Sequence, residues 1–309
     1  MRFHLPICSI FILLVSNSVR AAEYIDALNP AAGNTEDAVI PIERSFSISP
    51  DSDDEPLPGE EVPPASMNDF ISGSKLKYAF RSYAFDRKDS PESFSDAFTI
   101  GGRLEFTSGT WNSLSFLASY YTSIDITETN GGGTGLLTPS GDDINVLGEA
   151  NLTYEFTDST SPGLKMRLYR QRLPLPYMNE HDIRMLFSTY EAYMIGTQDS
   201  EFGYGFGHIT RFKKYNSDEF VPMSQAAGVR NADEGITTLG LRYKVNHFWT
   251  VGGVNHFGWN MFNTLYLESA YNYELNEDID IKLSAQYTDV DGVPQEFTDV
   301  AVRSSSTAE

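Results

Sequence analysis

Three arginines and a Glu-His-Asp triplet crowd one short stretch of this 309-residue chain, RQRLPLPYMNEHDIRML (170–186). Residues of these types can bind carboxylates or phosphates through paired N–H donors, ligate a metal, or move a proton. Glu180, His181 and Asp182 are consecutive, so they do not converge on one centre as histidines spaced i, i+4 on a helix do. No second histidine-rich segment accompanies them, which argues for a polar loop tip over a metal or catalytic centre. His208, His247 and His256 fall in strand-like stretches and read as wall or rim residues. A serine hydrolase set into a barrel wall needs a Ser-His pair on the outer face, whereas Ser119 and Ser284 alternate inward. No enzymatic activity and no cofactor are expected. SPDSDDEP (49–56) could hold calcium by composition, yet it lacks the ligand spacing of an EF-hand loop and reads as a solvated acidic linker. Arginine as an anion ligand is the remaining chemistry, and what it does depends on what positions it.

The chain opens with the layers of a secretory signal, read here as residues 1–21: basic Arg2, an apolar run over Leu5–Val15, and small residues around Val19-Arg20-Ala21. That run is too short to span a bilayer as a helix, which takes ~20 residues. Cys8, the sole cysteine, leaves with the signal, so a disulfide scaffold or Cys metal site is excluded. Residues 22–69 form an acidic, Pro-rich leader. Between Ala22 and Met67, eleven acidic residues face one basic residue, Arg44, and such a segment cannot repay the entropy of folding. The whole chain carries a formal charge of −21, and no nucleic-acid partner is expected.

Residues 70–309 read as all-β. In 98–107, Phe98, Ile100, Leu104 and Phe106 oppose Thr99, Arg103, Glu105 and Thr107. In 113–126, Leu114, Phe116, Ala118, Tyr120, Ile124 and Ile126 share one face. In 145–157, Val146, Ala150, Leu152, Tyr154 and Phe156 oppose Asn145, Glu149, Asn151 and Glu155. Period-two alternation over such lengths gives strands with one apolar face. About eleven strands are legible, most near the ~9–11 residues a tilted strand needs to cross a membrane. Short connections (109–110, 158–162, 198–202, 246, 276–278) alternate with long ones (86–95, 127–143, 171–188, 212–235), as in an outer-membrane barrel. The apolar face then meets lipid, and the polar face lines a wet lumen. That makes Lys77, Arg81, Arg103, Lys165, Arg167 and Arg242 lumen candidates, together with Glu105, Glu149, Glu191 and Lys244.

The odd stretch is then the third long loop. Leu173, Leu175, Tyr177, Met178, Ile183, Met185 and Leu186 need burial, while Pro174 and Pro176 stiffen the backbone and remove two N–H donors. The loop is expected to fold into the lumen, carrying Arg172, Glu180, Asp182 and Arg184 where a passing solute is least hydrated.

FRSYAFDR (80–87), GGGTGLL (131–137), RQRLPLPYMNEHDIRML (170–186) with TYEAYMI (189–195), FVPMSQAAG (220–228) and LGLRY (239–243) occur in an order similar to that of the OprD-type outer-membrane porins. The resemblance implies an 18-stranded barrel in the outer membrane of a Gram-negative bacterium. Its partners would be outer-membrane lipid, the barrel-assembly machinery and small anionic or zwitterionic solutes. Such porins take up small substrates, often carboxylates, past a ladder of basic residues. By match of motif, Arg81 falls in that ladder and Arg184 on the constricting loop, facing one passage from opposite walls. Two departures stand out. Eleven strands are fewer than 18, with VAVRSSSTAE in place of a closing strand, so a partial barrel is expected. WNMFNTLYLES (259–269) lacks basic residues, so the ladder is expected to be incomplete. The alternative is a non-conducting structural or surface-binding β protein.

Overall fold

The computed structural model describes residues 8–16 and 67–291, apart from 91–92, 128–132, 157–162, 198–200, 230–232 and 277–278. The acidic leader therefore lies almost wholly outside the described residues. A short helix α1 (Met67–Ser72) ends it. Then come β2 (Lys75–Ser90), β3 (Ser93–Thr107), β4 (Leu114–Asp125), β5 (Ile144–Glu155), β6 (Leu164–Gln171), β7 (Thr189–Thr197) and β8 (Phe202–Lys213). A two-residue strand β9 (Val221–Pro222) and a single helical turn α2 (Met223–Ala226) lead into β10 (Ile236–Lys244), β11 (Trp249–Gly258), β12 (Phe262–Asn276) and β13 (Ile279–Asp291). Every long strand pairs antiparallel with its neighbour in sequence, β9 standing aside against β8. The eleven long strands from β2 to β13 are those the alternation gave.

Burial runs opposite to that of a soluble protein. On β2 to β4, Leu76, Tyr78, Phe80, Leu104, Phe106, Phe116 and Tyr120 are exposed, Tyr78 by 82%. On the opposite face, along β3 to β5, Thr99, Ser119, Ser123 and Glu149 are buried, Glu149 to 1% exposure. A contiguous apolar exterior over a polar interior is the arrangement of a strand-built wall in lipid. No helix among the described residues is long and apolar enough to cross a membrane.

Two local readings are corrected. β2 and β3 continue pairing through most of 86–95, as far as Ser90 with Ser93, so this connection is mainly extended hairpin. On β5 a bulge shifts the register between Ser119 and Tyr120, with Glu149 opposite Ser119 and Leu147 opposite Tyr120. Gly148 is the extra residue, and a Cβ there would lie 2.4 Å from the Tyr121 ring. One extra residue inverts the faces before it. Ile144 and Val146 therefore turn inward and are buried, while Asn145 and Leu147 are exposed. The apolar segment β1 (Cys8–Ser16) lies antiparallel against β13, Cys8 opposite Tyr287. An apolar extended segment suits the open edge of a lipid-facing sheet, where backbone groups must find partners. The sheet path ends at β1 and β2, which do not pair with each other among the described residues.

Two loops form the interior packing. Leu136 and Leu137 from the loop after β4 and Met185, Leu186 and Phe187 from the loop after β6 cluster with Tyr121, Ile144 and Val146. Leu173, Leu175 and Met178 join Tyr190, Ala192, Met194, Ile209, Met223, Ile236 and Met261 in a second cluster.

Candidate functional site: an arginine cluster under an inward loop

The loop 172–188 folds inward, as its composition suggested. Leu175 and Met178 exchange backbone hydrogen bonds (3.1 and 3.2 Å) around Pro176 and Tyr177. Proline fixes the first turn position, and Tyr177 takes the second at φ 61°, a conformation that costs a bulky residue energy. Contacts to the far wall offset that strain. The Tyr177 hydroxyl meets that of Thr288 on β13 at 2.6 Å, and its ring stands edge-on to Tyr266 on β12. His256 Nε2 on β11 donates to the Pro176 carbonyl at 2.9 Å. Leu173, Pro176 and Met178 are buried and Pro174 half-buried, so this arm is the loop's apolar anchor.

The opposite arm is held by charge. Arg81 on β2 grips Asp182 with both terminal nitrogens (2.5 and 2.8 Å) and donates to the Arg184 carbonyl at 3.0 Å. The expectation that Arg81 and Arg184 oppose each other across a passage is corrected: Arg81 is bound to the loop beside Arg184. The backbone enters this arm through left-handed His181, at φ 51°. The loop thus reaches from β2 to β13 across the inner face of the sheet.

Phe187 is the hub. The guanidinium carbons of Arg81, Arg103 and Arg172 lie 5.1, 5.0 and 4.9 Å from its ring centroid. Such contacts draw cations to the ring's negative face. Tyr121 meets the same ring edge-on. Each arginine also has a carboxylate. Arg103 reaches Glu105 at 3.8 Å, and Arg172 reaches Glu105 at 3.9, Glu149 at 3.2 and Glu180 at 3.0 Å. Glu149 accepts in addition from the Tyr121 hydroxyl at 2.6 Å. Burial works against charge on Arg172, but Glu149, Tyr121 and Glu180 more than offset it and hold its pKa above the ordinary value. The positive ladder expected from the sequence is here a compensated network.

Arg184 differs. Its guanidinium lies over Phe85 at 5.2 Å and donates to its neighbour's carbonyl, Ile183, at 2.9 Å. No carboxylate pairs with it among the described residues, and its buried Nε has no hydrogen-bond partner.

The remaining lumen candidates stand apart. Lys77 is exposed on β2 on the face shared with Glu105. Lys165 pairs with Glu155 at 2.9 Å. Arg167 is buried opposite Thr153, and Arg242 is buried on β10 opposite Gly203, where a Cβ would come within 3.3 Å of its Nε. Glu191 bridges Arg170 and Arg211 (3.0 and 3.6 Å) and does not join the cluster, and Lys244 is exposed at the end of β10.

Sequence reasoning missed Phe187 as the hub and missed Lys213. The Lys213 amine is fully buried and donates to the carbonyls of Phe187, Lys214 and Ser217 (3.1, 3.1 and 3.3 Å). Backbone carbonyls leave no mark in a sequence, so the lysine doublet at 213–214 gave no such signal. No group of three or more potential ligands suited to a metal occurs among the described residues.

An inside-out antiparallel wall crossed by an inward loop is the architecture of an outer-membrane porin barrel. More particularly, the fold is that of the OprD/Occ-type porins the motifs resemble. Pseudomonas aeruginosa OccK9 (OpdG) superposes with a TM-score of 0.60 at 18% identity, over 72% of this chain and 59% of that one. Acinetobacter baumannii OccAB1 gives 0.59 at 15%, over 72% and 53%. P. aeruginosa OpdK, in a structure with vanillate, gives 0.60 at 15%, over 73% and 59%. The matched region thus spans between half and three-fifths of these porins. No protein-family model matches the chain, and no curated protein matches it.

Proposed function

We propose that the chain serves as an outer-membrane porin for passive uptake of small carboxylate-bearing solutes, with loop 172–188 as its constriction and Arg184 as the principal anion contact. The observation that carries this reading is Arg184 itself: a guanidinium on the inward loop with no carboxylate partner among the described residues. A carboxylate entering the narrowed lumen loses water and regains charge-assisted hydrogen bonds there. Arg81, Arg103 and Arg172 serve mainly to hold the loop, because their carboxylates already answer them. Lys77, exposed on the same wall, offers an approach step, and Lys165, Arg167 and Arg242 set the charge of the wall beyond. The vanillate held by the OpdK neighbour is itself a carboxylate, which fits this substrate class. In this reading residues 1–21 are an export signal, 22–69 a leader outside the barrel, and the barrel-assembly machinery inserts the rest. The chain acts as a channel and not as an enzyme.

The test is reversal potential in planar bilayers for the unmodified protein, Arg184→Gln and Arg184→Lys. Anion preference should fall severalfold in Arg184→Gln, return in Arg184→Lys, and leave conductance in concentrated salt nearly constant. Equal selectivity in all three would remove Arg184 from the account. A chain that inserts and never conducts would favour a structural role.

A further inference from the structure

Lys213, the last residue of β8, is a fully buried cation that the anion path does not use. An ammonium group has three N–H donors, and here each has a backbone carbonyl: Phe187 at 3.1 Å, Lys214 at 3.1 Å and Ser217 at 3.3 Å. The centre of the Tyr121 ring lies 5.5 Å from the same nitrogen. A buried charge is costly unless hydrogen bonds replace its water, and the ring's negative face adds to them. The three carbonyls belong to two different loops. Phe187 stands at the end of the inward loop, whereas Lys214 and Ser217 begin the loop after β8.

The second loop leans on the first at two further points. The Tyr215 N–H donates to the Ser188 hydroxyl at 3.2 Å, and the Tyr215 and His181 rings lie 5.7 Å apart between centroids. Tyr215 also closes on Arg184. A Cβ built on Gly135, which sits at φ 75°, would stand 3.3 Å from Tyr215 Cε2 and 3.4 Å from Arg184 Nε. Both side chains therefore pack over one glycine, with Phe85 against the Arg184 guanidinium at 5.2 Å. An arginine bounded in this way presents its donors in one place, whereas one free to swing loses rotamer entropy at each contact.

We infer that Lys213 is a positioning residue for anion selectivity: its ammonium staples the loop after β8 to the inward loop and so holds Tyr215 against Arg184. The inference rests on the reading of Arg184 as the anion contact. Lys213 itself is too deeply buried to touch a solute, and its effect passes through Tyr215.

The full chain, labelled with 3-fluorotyrosine in detergent micelles, reports the staple by ¹⁹F NMR without any current. The Tyr215 and Tyr266 lines are identified by their loss in Tyr215→Phe and Tyr266→Phe. Lys213→Met keeps the length of the side chain and removes its donors. It should move the Tyr215 line and leave that of Tyr266, on the far wall, in place. Lys213→Gln keeps two donors and should move the Tyr215 line less. In planar bilayers, Lys213→Met and Tyr215→Ala should each lower anion preference about threefold, as when one Arg184 torsion regains its three staggered wells. On an Arg184→Gln background neither should change it further. A Tyr215 line unmoved by both Lys213 substitutions, or one that moves only together with Tyr266, overturns the staple. A loss in Lys213→Met that adds to that of Arg184→Gln overturns its route through Tyr215. If Arg184→Gln alone changes nothing, the reading of Arg184 fails, and the fluorine shift still decides the staple.

Discussion

Replacing Arg81 with alanine should free one arm of the inward loop while leaving its apolar arm seated. The Arg81 and Asp182 side chains are 32% and 36% exposed, so their ion pair counts at the upper end of the surface range, about 1 kcal/mol. The bond from Arg81 to the Arg184 carbonyl adds about 1 kcal/mol. Arg81→Ala loses both and should raise the population of lifted loop about 30-fold, whereas Asp182→Ala loses only the pair and should raise it about fivefold. The double variant should match Arg81→Ala, since the pair cannot be lost twice. Met185 reports the motion, being a loop residue only 2% exposed where the loop packs on Tyr121, Ile144 and Val146. In a Cys8→Ser background, Met185→Cys labels with a maleimide at a rate proportional to the lifted population. A rate in Arg81→Ala equal to that of the parent would refute the claim that this pair fastens the loop. A double variant that labels as the product of the two singles would refute the shared contact.

The face assignment predicts that Leu104→Cys and Phe116→Cys resist a charged thiol reagent in the membrane, while Lys77→Cys and Ser115→Cys react. Equal labelling of both pairs would remove the barrel orientation. If residues 1–21 are an export signal, the intact mass of the outer-membrane form should begin at Ala22. A mass that retains Cys8–Ser16 would instead assign that segment permanently to the edge of β13.

The strands were legible because lipid and lumen impose opposite polarities on alternate residues, so Phe98 to Phe106 and Leu114 to Ile126 carried their own faces. The bulge at Gly148 was not, since a single extra residue in β5 looks like ordinary alternation until it is paired with β4. The inward loop was legible from its leucines and prolines, and its anchorage by Tyr177, Arg81 and Asp182 was not. Pairing across 101 residues between Arg81 and Asp182 has no local signature. The same limit turned an expected row of free arginines into a network answered by Glu105, Glu149, Glu180 and Asp182.

Loop 172–188 stands at the centre of the account, and deleting Leu173–Met185 tests it most directly. Single-channel recording of the full chain against the deletion, in the same lipid and salt, should show higher conductance and loss of anion discrimination once the loop is gone. An unchanged conductance with selectivity intact would contradict the constriction and the role given to Arg184 upon it.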